Sequence, residues 1–289
     1  MSEMSRRNKE ELFMAELGLG TMSILKRGRD EGKKILETAY DAGIRHFDTA
    51  DVYDEHRVEQ LIGETFGSRR DELFLASKGG NELTADGMRW NPRASYLERA
   101  LSGSLERLQT NHLDLYYVHG GTLEDDLDET IAFMREQKQR GVIRQIGLSS
   151  IRPNVIRYWL EHGEIDVLMT PYSLLDRRVE TLDLEIPIVG RGPLAKGLLT
   201  DEWPERLGEK GFESWSEAEL RNLLPTLPQP IQAYALAAAR RTCAVVLPGA
   251  SSVDQLNETI AASRFDIDEH VLDDLLGRLP VHPYTKHAT

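Results

Sequence analysis

Short apolar runs alternate with longer amphipathic stretches along almost the whole chain. The runs lie at 17–20, 45–48, 73–77, 113–119, 143–149, 167–170, 187–191 and 244–248. Their apolarity is continuous rather than alternating, which predicts strands covered on both faces. Between them, residues 30–41, 55–66, 94–108, 127–140, 153–162, a short piece within 177–183, 231–241 and 253–263 carry helical patterns. Gly43, Gly67 and Gly141 stand where helices should stop, and Pro153 where one should start. Strand and helix alternating eight times predict a (β/α)8 barrel.

Three stretches depart from an even barrel rhythm. Residues 174–187 leave barely enough chain for a crossover, so the sixth helix should be stunted. Residues 198–229, with Trp203 and Trp215, are too long for an ordinary connection and are expected to cover something. At 268–279, Val271, Leu272, Leu275, Leu276 and Leu279 mark one further amphipathic helix, expected against the barrel wall. No linker-like segment interrupts the pattern, so one domain over 1–289 is expected.

The 289 residues, 40% of them hydrophobic, can bury roughly three-quarters of the unfolded surface in one domain. A net charge of −13 argues against nucleic acid or an anionic membrane as partner, and any anionic ligand needs a local site. A single cysteine, Cys243, excludes an internal disulfide. The amino-terminal MSEMSRRNKEELF lacks the apolar run of a secretory leader, and a cytoplasmic protein is expected.

Chemistry concentrates where strands end, the face on which barrel enzymes act. The second strand runs out at Asp48, the third at Lys78 and the fourth at His119, and Tyr53 follows on the loop after Asp48. Singly, each has an ordinary role: a turn cap, a solvated lysine, a bonded histidine, a rim aromatic. Together they form a unit for moving a proton to or from an oxygen. Tyrosine donates a proton readily, an ammonium at Lys78 steadies the phenolate left behind, and Asp48 keeps that ammonium charged. His119 would hydrogen-bond the same oxygen. Trp90, after Lys78, is placed at the pocket wall. Gly249–Ser252 end the last strand before a helix, a place for phosphate on backbone N–H groups. Histidines are scattered and no strand carries paired ligands, so no metal site is expected.

The stretches Gly18-Leu19-Gly20-Thr21-Met22, Phe47-Asp48-Thr49-Ala50-Asp51-Val52-Tyr53, Ser77-Lys78 and Asp114-Leu115-Tyr116-Tyr117-Val118-His119 resemble the aldo-keto reductases, close to bacterial short-loop members. Ile146-Gly147-Leu148-Ser149-Ser150, Gly192-Pro193-Leu194-Ala195-Lys196-Gly197-Leu198-Leu199 and Pro248-Gly249-Ala250-Ser251-Ser252 with Gln255 and Glu258 complete the order. The resemblance implies a nicotinamide-dependent carbonyl reductase with Asp48, Tyr53, Lys78 and His119 as its catalytic tetrad, and aldehydes or ketones as substrates. It further implies that Gly20, Thr21, Met22, Asp48, Ser149, Ser150, Tyr172, Arg191, Gly192, Leu194, Lys196, Gly249, Ser251, Ser252, Gln255 and Glu258 bind the cofactor, with 198–229 over the cofactor side. Tyr53, Trp90 and His119 would face the substrate.

NADPH is the expected cofactor, with NADH possible. Ser251 stands where the family often has a basic residue for the ribose 2′-phosphate, and Thr259 where asparagine often reaches adenine. Ser150 replaces a frequent asparagine, Pro171 falls near a usual glutamine, and Arg191 takes the place of an aromatic that stacks on nicotinamide. The 120–126 loop is short and acidic and little chain follows the last helix, so an open pocket is expected. Two other functions fit the same barrel: a non-catalytic nicotinamide-binding subunit that reports redox state, and an aldolase using Lys78 as a Schiff base.

Overall fold

The computed structural model describes residues 17–286, so the amino-terminal stretch read for a leader lies outside it. In chain order the strands are β1 (Leu19–Gly20), β2 (His46–Asp48), β3 (Phe74–Gly79), β4 (Asn81–Thr84), β5 (Gly87–Trp90), β6 (Leu113–His119), β7 (Ile143–Ser149), β8 (Val167–Pro171), β9 (Ile188–Arg191) and β10 (Val245–Leu247). The helices are α1 (Arg29–Asp41), α2 (Arg57–Phe66), α3 (Ala94–Arg107), α4 (Leu127–Gln139), α5 (Pro153–His162), α6 (Trp203–Arg206), α7 (Glu217–Leu223), α8 (Ile231–Thr242), α9 (Val253–Ser263) and α10 (Glu269–Arg278).

Eight parallel strands pair in the order β1-β2-β3-β6-β7-β8-β9-β10. Parallel bridges join Leu17 to Val246 and Gly20 to Gly249, and the Gly18 and Gly20 N–H groups donate to the Val246 and Pro248 carbonyls at 3.0 Å. The first strand thus meets the last, and the sheet forms the expected (β/α)8 barrel. Two-residue alternation divides each strand between two environments. Phe74, Ala76, Leu115, Tyr117, Val167, Met169, Val189, Val245 and Leu247 fill the interior, while the residues between them pack against the helices. Extending the inward set by one step toward the carboxyl ends reaches Asp48, Lys78 and His119. Placement of the candidate chemistry follows from strand parity.

The sixth helix is stunted, reduced to a 3-10 turn at Arg178–Leu182. Residues 198–229 are not bare loop. They contain α6 and α7, and Leu198, Leu199, Trp215, Leu220, Leu224 and Leu227 form a second core with α8, with Leu272 and Leu275 of the terminal helix and with Leu279 just after it. The Trp215 indole N–H donates to the Leu175 carbonyl at 2.9 Å, anchoring this excursion near the end of β8.

Two features were not anticipated. The connection after β3 is a β4–β5 hairpin, with Leu83 paired to Met88 and Asn81 to Trp90. The short tail also turns back over the barrel. His282 packs edge-on against Trp215 with centroids 5.2 Å apart, and the Arg178 guanidinium lies 5.4 Å from the Tyr284 ring centre. Among the described residues no helix is long and apolar enough to cross a membrane.

Candidate active site

Backbone hydrogen bonds lock the ends of β1, β2 and β3 together before any side chain is considered. The Thr21 N–H and hydroxyl both donate to the Asp48 carbonyl, at 2.9 and 2.8 Å. Thr49 N–H donates to Ala76 at 2.9 Å and Asp51 N–H to Lys78 at 3.1 Å. The chain then reverses, with Tyr53 N–H donating to Ala50 at 3.1 Å, which returns the phenol to the barrel axis.

Lys78 is the centre of the cluster. Its ammonium, 1% exposed, donates to Asp48 Oδ1, to the Thr49 carbonyl at 2.7 Å, and toward the Tyr53 hydroxyl at 3.5 Å. The last is at the outer limit of a hydrogen bond. The Tyr53 and His119 rings stand edge-to-face at 6.4 Å, so all four side chains converge as strand parity requires. Burial opposes charge on Lys78, yet the Asp48 carboxylate and the Tyr53 hydroxyl outweigh it and hold the ammonium above the ordinary lysine range. For Asp48 burial pushes the carboxyl up, against the pull of Lys78 and then Arg191.

His119 is driven the other way. Burial, then the charges of Lys78 and Arg191, lower its pKa to about 3, so the ring is neutral at physiological pH. Its buried Nδ1 has no partner among the described residues. A proton there would be wasted, which favours the tautomer carrying hydrogen on Nε2, the nitrogen left to face the mouth.

Behind the cluster lies a polar network whose partners are far apart in sequence. The Tyr96 hydroxyl donates to the Asn81 carbonyl at 2.7 Å and lies 2.9 Å from the Asp51 carboxyl. Glu59, fully buried, accepts from Ser77 at 2.5 Å and from Arg107 at 2.8 Å. Burial pushes the Asp51 carboxyl up to about 7. The Tyr53 turn continues into three consecutive left-handed, non-glycine residues, Asp54, Glu55 and His56, with φ of 49°, 54° and 72°. Each such residue costs about 1 kcal/mol or more. The offsetting bonds are His56 Nδ1–H to the Asp51 carbonyl at 2.5 Å and Arg57 to the Asp54 carboxylate at 3.0 Å.

The positions assigned to a cofactor fall into two groups. Arg191, Gly192 and Lys196 are exposed or open at the end of β9, Gly192 is left-handed with φ +70° and free space around it, and neither cation is ion-paired among the described residues. Met22 is 65% exposed, Leu194 is partly exposed, and Ser149 ends β7. Asp48 Oδ2 is a buried acceptor without a partner among the described residues, as a ribose hydroxyl would require. The open backbone at Gly192, the two cations and the Asp48 acceptor fit a nucleotide. Elsewhere the side chains are already engaged. The Ser252 hydroxyl caps α9 by accepting from Gln255 N–H, and the Ser251 N–H and hydroxyl both donate to the Gln255 carboxamide, at 3.1 and 2.9 Å. Glu31 accepts from Val253 N–H at 2.9 Å. Ser150 Oγ accepts from Arg152 N–H at 3.1 Å, while Gly20 and Gly249 bridge the barrel seam and Glu258 is exposed on α9.

Tyr172 is not at the mouth. It is buried outside the barrel wall, its hydroxyl held by Glu180 and, at 2.9 Å, by Thr242, leaving only its backbone near Arg191. Trp90 is on the hairpin rather than in an irregular loop. Its indole N–H donates to Asp125 at 2.6 Å, and its ring lies against Gly80 and Gly121 beside His119.

The sequence model of the Aldo/keto reductase family matches residues 16–276. A Bacillus subtilis (strain 168) protein described as the uncharacterized oxidoreductase YqkF is 40% identical over 271 residues, 88% of each chain. The NADH-specific methylglyoxal reductase of Escherichia coli (strain K12) is 25% identical over 307 residues, 90% of this chain and 93% of that one. Among solved structures, the aldo-keto reductase AKR11C1 from Bacillus halodurans in its holo form superposes with a TM-score of 0.87 at 38% identity, over 95% of both chains. The barrel, its strand-end cluster and these likenesses lead to one statement of kinship: the chain belongs to the aldo/keto reductase family and is an NAD(P)H-dependent oxidoreductase.

Proposed function

We propose that the protein reduces aldehydes and ketones to alcohols, with Tyr53 as the proton donor and residues 1–289 acting as one barrel domain. The observation that carries this reading is the buried Lys78 ammonium bonded at once to Asp48 and Thr49 and reaching Tyr53 at 3.5 Å. When bound, a reduced nicotinamide supplies hydride to the carbonyl carbon. The remaining work belongs to the side chains. The carbonyl oxygen sits between the Tyr53 hydroxyl and His119 Nε2–H, a neutral donor that orients it and stabilises the charge growing on it. Tyr53 passes its proton to that oxygen, and the Lys78 ammonium stabilises the phenolate it leaves. Asp48 fixes the ammonium in position and keeps it charged.

The same contacts argue against an aldolase. A Schiff-base lysine must be neutral to attack, and Lys78 is held protonated beside a carboxylate. For the cofactor, Arg191 and Lys196, without an ion pair among the described residues, supply positive charge for phosphates around Gly192, with Asp48 Oδ2 as ribose acceptor. We assign NADPH from the family likeness, with NADH also accepted because Ser251 offers no cation to a 2′-phosphate. The test is oxidation of each cofactor against a panel of aldehydes and ketones. Turnover with both supports the assignment; tight binding of either without turnover on any carbonyl leaves the redox-sensing subunit instead.

A further inference from the structure

The β4–β5 hairpin has two chemically distinct faces. Glu82 and Arg89 face one way, paired at 2.7 Å, with Arg99 of α3 at 3.5 Å from the same carboxylate. The cross-strand pairs Asn81–Trp90 and Leu83–Met88 occupy the other. That second face is turned toward the barrel mouth, since the Asn81 side chain donates to the His119 carbonyl at 3.2 Å and Trp90 lies against Gly80 and Gly121. Two residues further out, Leu83 and Met88 continue the same face and are 38% and 62% exposed. Trp90 is pinned to the loop after β6 by Asp125, and Leu123, between those anchor points, is 46% exposed. An apolar strip therefore begins beside His119 and runs outward over an acidic protein, uncovered among the described residues.

The geometry points to a subsite for the apolar chain of the substrate: the enzyme prefers aldehydes with an unbranched hydrocarbon tail, laid along Trp90, Met88 and Leu83. This rests on the reductase reading above. The aldehyde carbon gains hydride from the reduced nicotinamide and the oxygen gains a proton from Tyr53, giving a primary alcohol and the oxidised nicotinamide. Continuity with His119 fixes the occupant, because a carbonyl oxygen held there leaves its chain with the hairpin as the adjoining wall. At about 3.4 Å per strand residue, the strip from Trp90 to Met88 spans about 7 Å, the reach of about five methylenes. A fully enclosed methylene is worth about fourfold in binding, and one resting on a single wall about twofold.

The experiment compares kcat/KM for propanal and octanal with NADPH, in the wild type and in the double variant Leu83→Ser with Met88→Ser. Both positions are exposed, so the variant should fold, and circular dichroism checks it. Octanal should exceed propanal by about thirtyfold in the wild type, falling below about fivefold in the variant. A flat wild-type series, or a ratio unchanged by the substitutions, overturns the subsite while propanal turnover leaves the reductase reading intact. Absence of turnover on both aldehydes by protein that binds NADPH removes both. Gel filtration separates one more occupant: a dimer that the substitutions dissociate would assign the strip to a second copy of the chain and overturn the inference.

Discussion

Replacing Asp48 with Asn removes the charge that justifies a buried ammonium while keeping the shape of the site. Lys78 is 1% exposed, and after the change its donors face only the Thr49 carbonyl, the Tyr53 hydroxyl and a neutral amide. Stranding one partner of a buried pair costs about 3–5 kcal/mol. With an m-value of about 2–3 kcal/mol/M, the urea midpoint at pH 7 should fall by about 1–2.5 M. The pH dependence gives a sharper signature. In the wild type the lysine pKa is raised in the folded state, so its contribution is complete below the unfolded value of about 10.4 and is lost only as pH climbs through the folded value. Nothing is expected from Lys78 between pH 6 and pH 9. In Asp48→Asn burial is no longer outweighed, the folded pKa drops below about 10.4, and the folded state weakens as pH falls. The variant should thus recover stability between about pH 7 and pH 9.5 relative to the wild type. A midpoint within about 0.3 M of wild type at pH 7, or a loss independent of pH, would refute a charged Asp48–Lys78 pair.

Three further outcomes are expected. Asp51, raised to about 7 by burial, contributes stability below its unfolded pKa of about 3.9 that is lost as pH rises toward 7; thermal melts of Asp51→Asn against wild type should show that slope removed. His119, at about 3, should stay neutral across the activity range, so its imidazole proton followed by NMR should show no titration above about pH 5. If Ser251 faces the ribose as proposed, Ser251→Arg should shift the ratio of NADPH to NADH kcat/KM by about tenfold toward NADPH.

The barrel was legible because its strands are buried on both faces and so read as unbroken apolar runs. Asp48, Lys78 and His119 were legible because each ends such a run on the inward parity. Legibility failed where long-range partners decide. Glu59 meets Arg107 and Asp51 meets Tyr96 across 48 and 45 residues, and nothing local marks either pair. Tyr172 follows β8 directly, yet Glu180 and Thr242 draw its hydroxyl outside the wall. The hairpin, by contrast, left a readable sign: Asp86-Gly87 between alternating residues is a turn signature. The 198–229 excursion carried the apolar residues of its second core in plain view, but their partners Leu272 and Leu275 lie beyond it in the chain.

The proton-donor role is tested most directly by Tyr53→Phe, with single-turnover reduction of an aldehyde and cofactor affinity measured on the same protein. Deleting one hydroxyl should leave cofactor affinity within about twofold and slow reduction by about 10²- to 10⁴-fold. Reduction within a few-fold of wild type would mean that the proton reaches the substrate oxygen from another group.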